Sequence, residues 1–225
     1  MMADNRMNDD QILATNDDDN VKNDIKNELI NNSKKNIKLI NKNHIYHEKQ
    51  SRQLCALHAL NNLFQDSNAF TKNDLDSIAE TLSPSSILLF NPHKSKFGFG
   101  NYDVNVLLMA LQNKNYEAIW FNRKKDPKRL NLNVIFGFIL NIPNDCDFWK
   151  NALTFFTSSR RHWIAVRKFD SNYYNLDSKL KEPILIGQEE NLFDFLQTNL
   201  TAEKNAEIFI IVTKQIAQQN NWYNE

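Results

Sequence analysis

Four side chains in this sequence have the types and settings for covalent chemistry on a carbonyl: Gln50, Cys55, His162 and Asp177. Cys55 falls in the first turn of a segment, residues 54–64, in which Leu54, Leu57, Leu60, Leu63 and Phe64 recur at helical spacing. Free N–H groups and the positive end of the helix dipole favour a thiolate at that place. Cysteines so placed can have their pKa lowered to ~3.5–7.5, as a nucleophile at neutral pH requires. Gln50 lies five residues upstream on the approach to the helix. From there its side-chain amide can swing back and donate to a developing oxyanion. Position 55 lies off the leucine stripe, on the side shared with His58 and Asn62, so the thiol is expected to be accessible. The competing reading is a buried structural thiol.

The second half of the constellation lies late in the chain. Residues 161–167 read as one strand and 173–177 as the next, with the turn formers Asp170, Ser171 and Asn172 between them. If residues 168–171 close the hairpin as a four-residue loop, Arg167 faces Asn172, Val166 faces Tyr173, Trp163 faces Leu176 and His162 faces Asp177. Directly opposed residues have Cβ atoms only ~4.5–5.5 Å apart. A carboxylate there would set the tautomer of His162 and stabilise its charged form, the orienter's task in a nucleophile–base–orienter triad. Taken alone, the pair could equally be an ordinary cross-strand polar contact. With Cys55 in the same chain, the parts of a thiol hydrolase are all present.

Other residues invite different chemistry. His58 stands at Cys-x-x-His spacing from Cys55, but structural zinc needs four ligands, usually in paired clusters. Cys146, His162, His47 and His44 supply no such set, and no metal or cofactor is expected. A fixed position one turn along the helix aims His58 poorly as a base, so it reads as a hydrogen-bonding helix residue. Residues 123–129 carry five cations in seven positions. That stretch resembles a localisation or nucleic-acid patch. It contains Pro127, has no interleaved aromatics and sits between two strand candidates, which favours a solvated loop.

The elements that must position these groups follow from patterning. Helices are expected over 54–64, 71–82, 104–112 (with Asp103 as N-cap) and 191–199. Strands are expected over 117–121, 134–141, 162–168, 173–176 and 208–213. Residues 83–100, with Pro84, Pro92, Gly98 and Gly100, read as a loop or flexible arm. Helices gather early and strands late, so the fold class is α+β with a largely antiparallel sheet. Residues 1–43 hold 11 Asn, 7 Asp and 6 Lys but no aromatic residue. Such a stretch cannot offset its ordering entropy, and a disordered extension before a domain at 44–225 is expected.

Composition narrows the class of function. Lys plus Arg equals Asp plus Glu at 27 each, so no global field draws the chain to nucleic acid or acidic lipid. The longest apolar run, 134–140, falls far short of the ~20 residues of a spanning helix. The start of the chain has no apolar signal-type segment. Two cysteines make no disulfide framework, which together suggests an intracellular protein with reduced thiols.

These residues resemble a known family. Ile45-Tyr46-His47-Glu48-Lys49-Gln50 and Leu54-Cys55-Ala56-Leu57-His58-Ala59-Leu60-Asn61-Asn62 are similar to the opening signature of the Josephin domain. Arg161-His162-Trp163 and Tyr173-Tyr174-Asn175-Leu176-Asp177-Ser178-Lys179-Leu180 are similar to its histidine and acid segments. The likeness runs from about Ile45 to Trp222. It is greater to the short Josephin-only proteins than to the longer ataxin-type members. The resemblance implies a papain-like cysteine protease fold, with a helical arm over residues 83–100 packed on the sheet domain. It also implies a deubiquitinase that cleaves ubiquitin from conjugates: Gln50 as oxyanion donor, Cys55 as nucleophile, His162 as base and Asp177 as orienter. Ubiquitin and its conjugates are the expected partners of a monomer in the cytoplasm or the nucleus. The polar extension and the irregular stretch 144–159 depart from the family pattern. Two other activities use the same parts: a ubiquitin-binding module with little catalysis, and an unrelated thiol acyl-transferase.

Overall fold

The computed structural model describes residues 45–51, 53–83, 102–143 and 161–224. The extension over 1–43, His44, residues 84–100 of the arm expected over 83–100, Cys146 and the stretch 144–159 lie outside the described residues.

Three helices come first. α1 spans Cys55–Phe64, α2 Lys72–Leu82 and α3 Val104–Asn113. The start of α2 is set by a capping box: Asp74 N–H donates to Thr71 Oγ1, and Thr71 N–H returns a bond to the Asp74 carboxylate. Asp103 caps α3 as expected, accepting from the N–H groups of Asn105 and Val106. The start of α1, at Leu54, has no side-chain cap. Its polar edge is not exposed as the spacing predicts. Every residue from Cys55 to Leu63 is buried, because residues 46–51 cover the His58 and Asn62 side.

The strands follow: β1 Tyr116–Trp120, β2 Gly137–Pro143, β3 Arg161–Phe169, β4 Asn172–Asn175 and β5 Ile184–Gly187. Helix α4 (Glu189–Asn199), strand β6 (Glu207–Thr213) and the short helix α5 (Lys214–Gln219) complete the order. The six strands form one antiparallel sheet in the order β1-β6-β2-β3-β4-β5. This is the α+β class read from the sequence.

The central strands are buried on both faces. Phe138, Leu140, Ile164, Val166, Ile208, Ile210 and Val212 form one core cluster with Leu192, Phe193 and Leu196 of α4. Ile139, Ala165 and Ile211 alternate with them along the strands and are fully buried as well. Helix α1 packs on β3 and β2, and α3 on β1. Gly137 permits the first of these contacts. A Cβ there would stand 2.6 Å from Leu63 Cδ1 and 2.8 Å from the Val166 carbonyl.

Two elements escaped the sequence reading. Strand β5 is a four-residue edge between Pro183 and a Gly187 in the left-handed region, too short for a period to emerge. Helix α5 is a six-residue turn capped by Thr213. The basic stretch is a solvated loop ending in a 3₁₀ turn, Pro127–Arg129. Its cations find partners locally: Lys125 lies 4.3 Å from the Tyr223 ring centre, Lys128 pairs with Glu190 and Arg123 donates to Asn205.

Candidate active site

The site forms where the start of α1 meets the start of β3 and the turn after β4. Cys55 is a free thiol, 6% exposed, and His162 is 2% exposed. His162 Nε2–H donates to Asp177 Oδ1 at 2.6 Å, a short charge-assisted bond. Its other ring nitrogen, Nδ1, is left for the thiol, and Cys55 lies near enough to act on the titration of His162. Burial alone would lower the His162 pKa; the bond to Asp177 and the nearby Cys55, with their charges, outweigh it and raise it. Burial likewise pushes the Asp177 carboxyl up, but the bonds from His162 and the Lys179 N–H hold it below its usual range.

The hairpin that carries this pair has a different register from the one expected. Phe169 faces Asn172, Lys168 faces Tyr173 and Val166 faces Asn175, closing a two-residue turn at Asp170 and Ser171. Asp170 adopts φ 53°, a left-handed conformation that Asp tolerates. The slip is two residues, which preserves the face each side chain occupies. Asp177 is then no longer a strand residue opposite His162. The ladder ends at Asn175, and Asp177 reaches back from the following turn.

That turn is built by side chains. Asn175 Oδ1 accepts from Asp177 N–H at 3.0 Å, and Asp177 Oδ1 accepts from Lys179 N–H at 2.8 Å. Consecutive Asx turns of this kind need an Asn or Asp two residues before each donor. Asn175-x-Asp177-x-Lys179 carries that signal in the sequence. The accessible thiol expected from the helical stripe is corrected too: Cys55 is buried with the rest of its helix.

Gln50 is half-buried, and its backbone N–H donates to the Ser178 carbonyl at 2.7 Å, beside Asp177. His58 is a hydrogen-bonding helix residue, with Nδ1 2.6 Å from Glu48 Oε2 and Nε2 accepting from Ser51 N–H at 3.1 Å. Sequence reasoning missed Glu48, Asn61 and Asn62. Glu48 accepts from Tyr46 Oη and Asn61 Nδ2 as well as from His58. Burial would raise its carboxyl pKa, but these bonds outweigh it and hold it low. Asn62 donates to the carbonyls of Glu48 and Leu176, which ties α1 to both other segments of the site. Two adjacent asparagines inside an apolar helix were the available signal, since Asn is a poor interior helix former. His47 also reaches this region, donating from Nε2 to the Asp177 carbonyl at 3.0 Å.

Comparison with known proteins adds identity to this geometry. The sequence model of the Josephin family matches residues 50–212, a span that includes Gln50, Cys55, His162 and Asp177. The chain belongs to the Josephin family. A Josephin-like protein of Drosophila melanogaster is 49% identical over 172 residues, covering 76% of this chain and 75% of that one. Josephin-2 of Mus musculus is 41% identical over 180 residues, covering 80% and 92%. Human ataxin-3 is more distant, at 30% identity over 63% of this chain and 39% of its own. The helices and open antiparallel sheet fit the α+β papain-like fold of Josephin domains. No helix among the described residues is long and apolar enough to cross a membrane.

Proposed function

We propose that this Josephin-family protein is a deubiquitinating cysteine protease acting through Cys55, His162, Asp177 and Gln50. Its substrate would be the isopeptide or peptide bond at the C-terminal glycine of ubiquitin. The observation that carries this reading is one buried imidazole bonded to a carboxylate at 2.6 Å, with the Cys55 thiol near enough to act on its titration. Family membership supports a deubiquitinase-type activity.

On this reading the proton moves from Cys55 Sγ to His162 Nδ1, and the thiolate attacks the glycine carbonyl carbon. The resulting oxyanion accepts hydrogen bonds from the Gln50 side-chain amide and the Cys55 N–H. As the C–N bond breaks, His162 Nδ1–H gives its proton to the departing lysine amine, leaving a thioester on Cys55. His162 then takes a proton from water, and the hydroxide releases the ubiquitin carboxylate and restores the thiol. Asp177 holds the ring in the tautomer that puts Nδ1 at the sulfur. A cytoplasmic or nuclear location, a monomeric state and a catalytic domain over 44–225 complete the proposal.

Two probes test it. A fluorogenic C-terminal amide of ubiquitin should be turned over by the wild type and not by Cys55→Ala. A ubiquitin carrying a C-terminal electrophile should label the wild type at Cys55 and label His162→Ala far more slowly. The near-complete burial of Cys55 favours a second reading, a ubiquitin-binding module with little catalysis. Equal fluorescence release by wild type and Cys55→Ala would remove the enzyme and leave the binding reading.

A further inference from the structure

We propose that His58 and Glu48 are positioning residues for Gln50, holding its backbone so that the side-chain amide meets the oxyanion. The inference rests on the roles proposed above for Gln50 and Cys55. Gln50 is clamped at both of its peptide planes. On one side its own N–H donates to the Ser178 carbonyl at 2.7 Å, next to Asp177. On the other, the N–H of Ser51 donates to His58 Nε2 at 3.1 Å, one helical turn after Cys55. Turning Gln50 about φ or ψ breaks one of these bonds. The amide donor is therefore referenced to the acid segment on one side and the nucleophile helix on the other.

The chemistry of the second clamp assigns the proton. A backbone N–H can only donate, so His58 Nε2 must present its lone pair and the ring proton must sit on Nδ1. Nδ1 lies 2.6 Å from Glu48 Oε2, which accepts that proton's hydrogen bond. Glu48 is held in turn by Tyr46 Oη at 2.7 Å and Asn61 Nδ2 at 3.1 Å. Asn61 is fixed from behind, accepting from Phe70 N–H and donating to the Phe70 carbonyl. His58 and Asn61 both come to Glu48 as donors, so an amide in place of the carboxylate would set its NH₂ against one of them. The site thus contains two His–carboxylate pairs with different tasks. His162–Asp177 serves the thiol, while Glu48–His58 serves the loop that carries the oxyanion donor.

Turnover of the fluorogenic ubiquitin amide by the full chain tests this. His58→Ala should lower kcat by about 10²-fold, the scale of one lost oxyanion donor. KM should stay within twofold, and the alkylation rate of Cys55 by iodoacetamide, which needs no oxyanion hole, should not change. Because the effect runs through Gln50, His58→Ala should cost nothing further in a Gln50→Ala background. His58→Gln, whose Oε1 reaches to where Nε2 stood, should recover most of kcat, and Glu48→Gln should lose it. These two variants carry the test if His58→Ala fails to give a cooperative thermal transition. Full kcat in His58→Ala, or in folded Glu48→Gln, overturns the proposal. So does an equal further loss on top of Gln50→Ala. The wild type separates the two levels. Normal wild-type turnover with unaffected variants sinks the positioning role alone, whereas absent wild-type turnover sinks the proposed function and this inference with it.

Discussion

At the scale of the residue, the bond from His162 Nε2–H to Asp177 governs the protons of the site. The carboxylate's charge and hydrogen bond raise the His162 pKa against the effect of burial. Asp177→Asn keeps an acceptor for Nε2–H but removes the charge, so His162 should fall back toward its usual value. On the proposed mechanism the alkaline limb of kcat/KM, where the imidazolium loses the proton meant for the leaving amine, should then move to lower pH. A pH–rate profile of the fluorogenic reaction checks this, and a limb that stays in place would show that the carboxylate orients the ring without tuning it. The sequence brought these two side chains together as opposed strand residues, in a register that the hairpin does not have. A two-residue slip leaves facing unchanged, and the pair survives because Asp177 reaches back to His162 from the turn after β4. The exposure of Cys55 did not survive, because helical spacing describes one helix and says nothing about what folds over its polar side.

At the scale of the element, the site depends on how closely α1 approaches β2 and β3. Gly137 opens β2 where Leu63 of α1 and the Val166 carbonyl of β3 leave no room for a Cβ. The leucine tip can move; the carbonyl belongs to the backbone of the His162 strand and can move only with it. Gly137→Ala should destabilise the fold by about 1–3 kcal/mol, the usual cost of overpacking a core. For a chain of this size each kcal/mol lowers the melting temperature by about 2–4 °C. A melt unchanged from wild type would mean that the strands separate without cost. The long elements were legible because their signals are local: apolar periodicity for α1, the acidic opening turn of Asp74 and Asp76 for α2 and the Asp103 cap for α3. Strand β5 was not, since its four residues are defined by pairing with β4.

At the scale of the whole molecule, the same His–carboxylate pairs link stability to pH. His162 has a raised pKa in the folded chain, so its contribution is complete below its unfolded value of 6.5 and is lost as pH climbs through the raised one. Asp177 and Glu48 have lowered values, so theirs are complete above 3.8 and 4.5 and are lost as pH falls through the lowered ones. Urea midpoints measured across pH should therefore peak between about 4.5 and 6.5 and decline on both sides. A midpoint still rising above pH 7 would contradict the contribution of His162. The amino-acid order by itself determined the α+β class, the antiparallel sheet and the segments that carry Gln50, Cys55, His162 and Asp177. Period, caps and turn formers act within a few residues, and so are written in the order. Only tertiary structure decided that Asp177 reaches His162 from a turn, that His58 and Glu48 brace the Gln50 loop, and that Asn62 joins three segments. A buried donor accepts any acceptor of suitable geometry, and distant parts of the chain offer many, so the partner is chosen when the core closes around it.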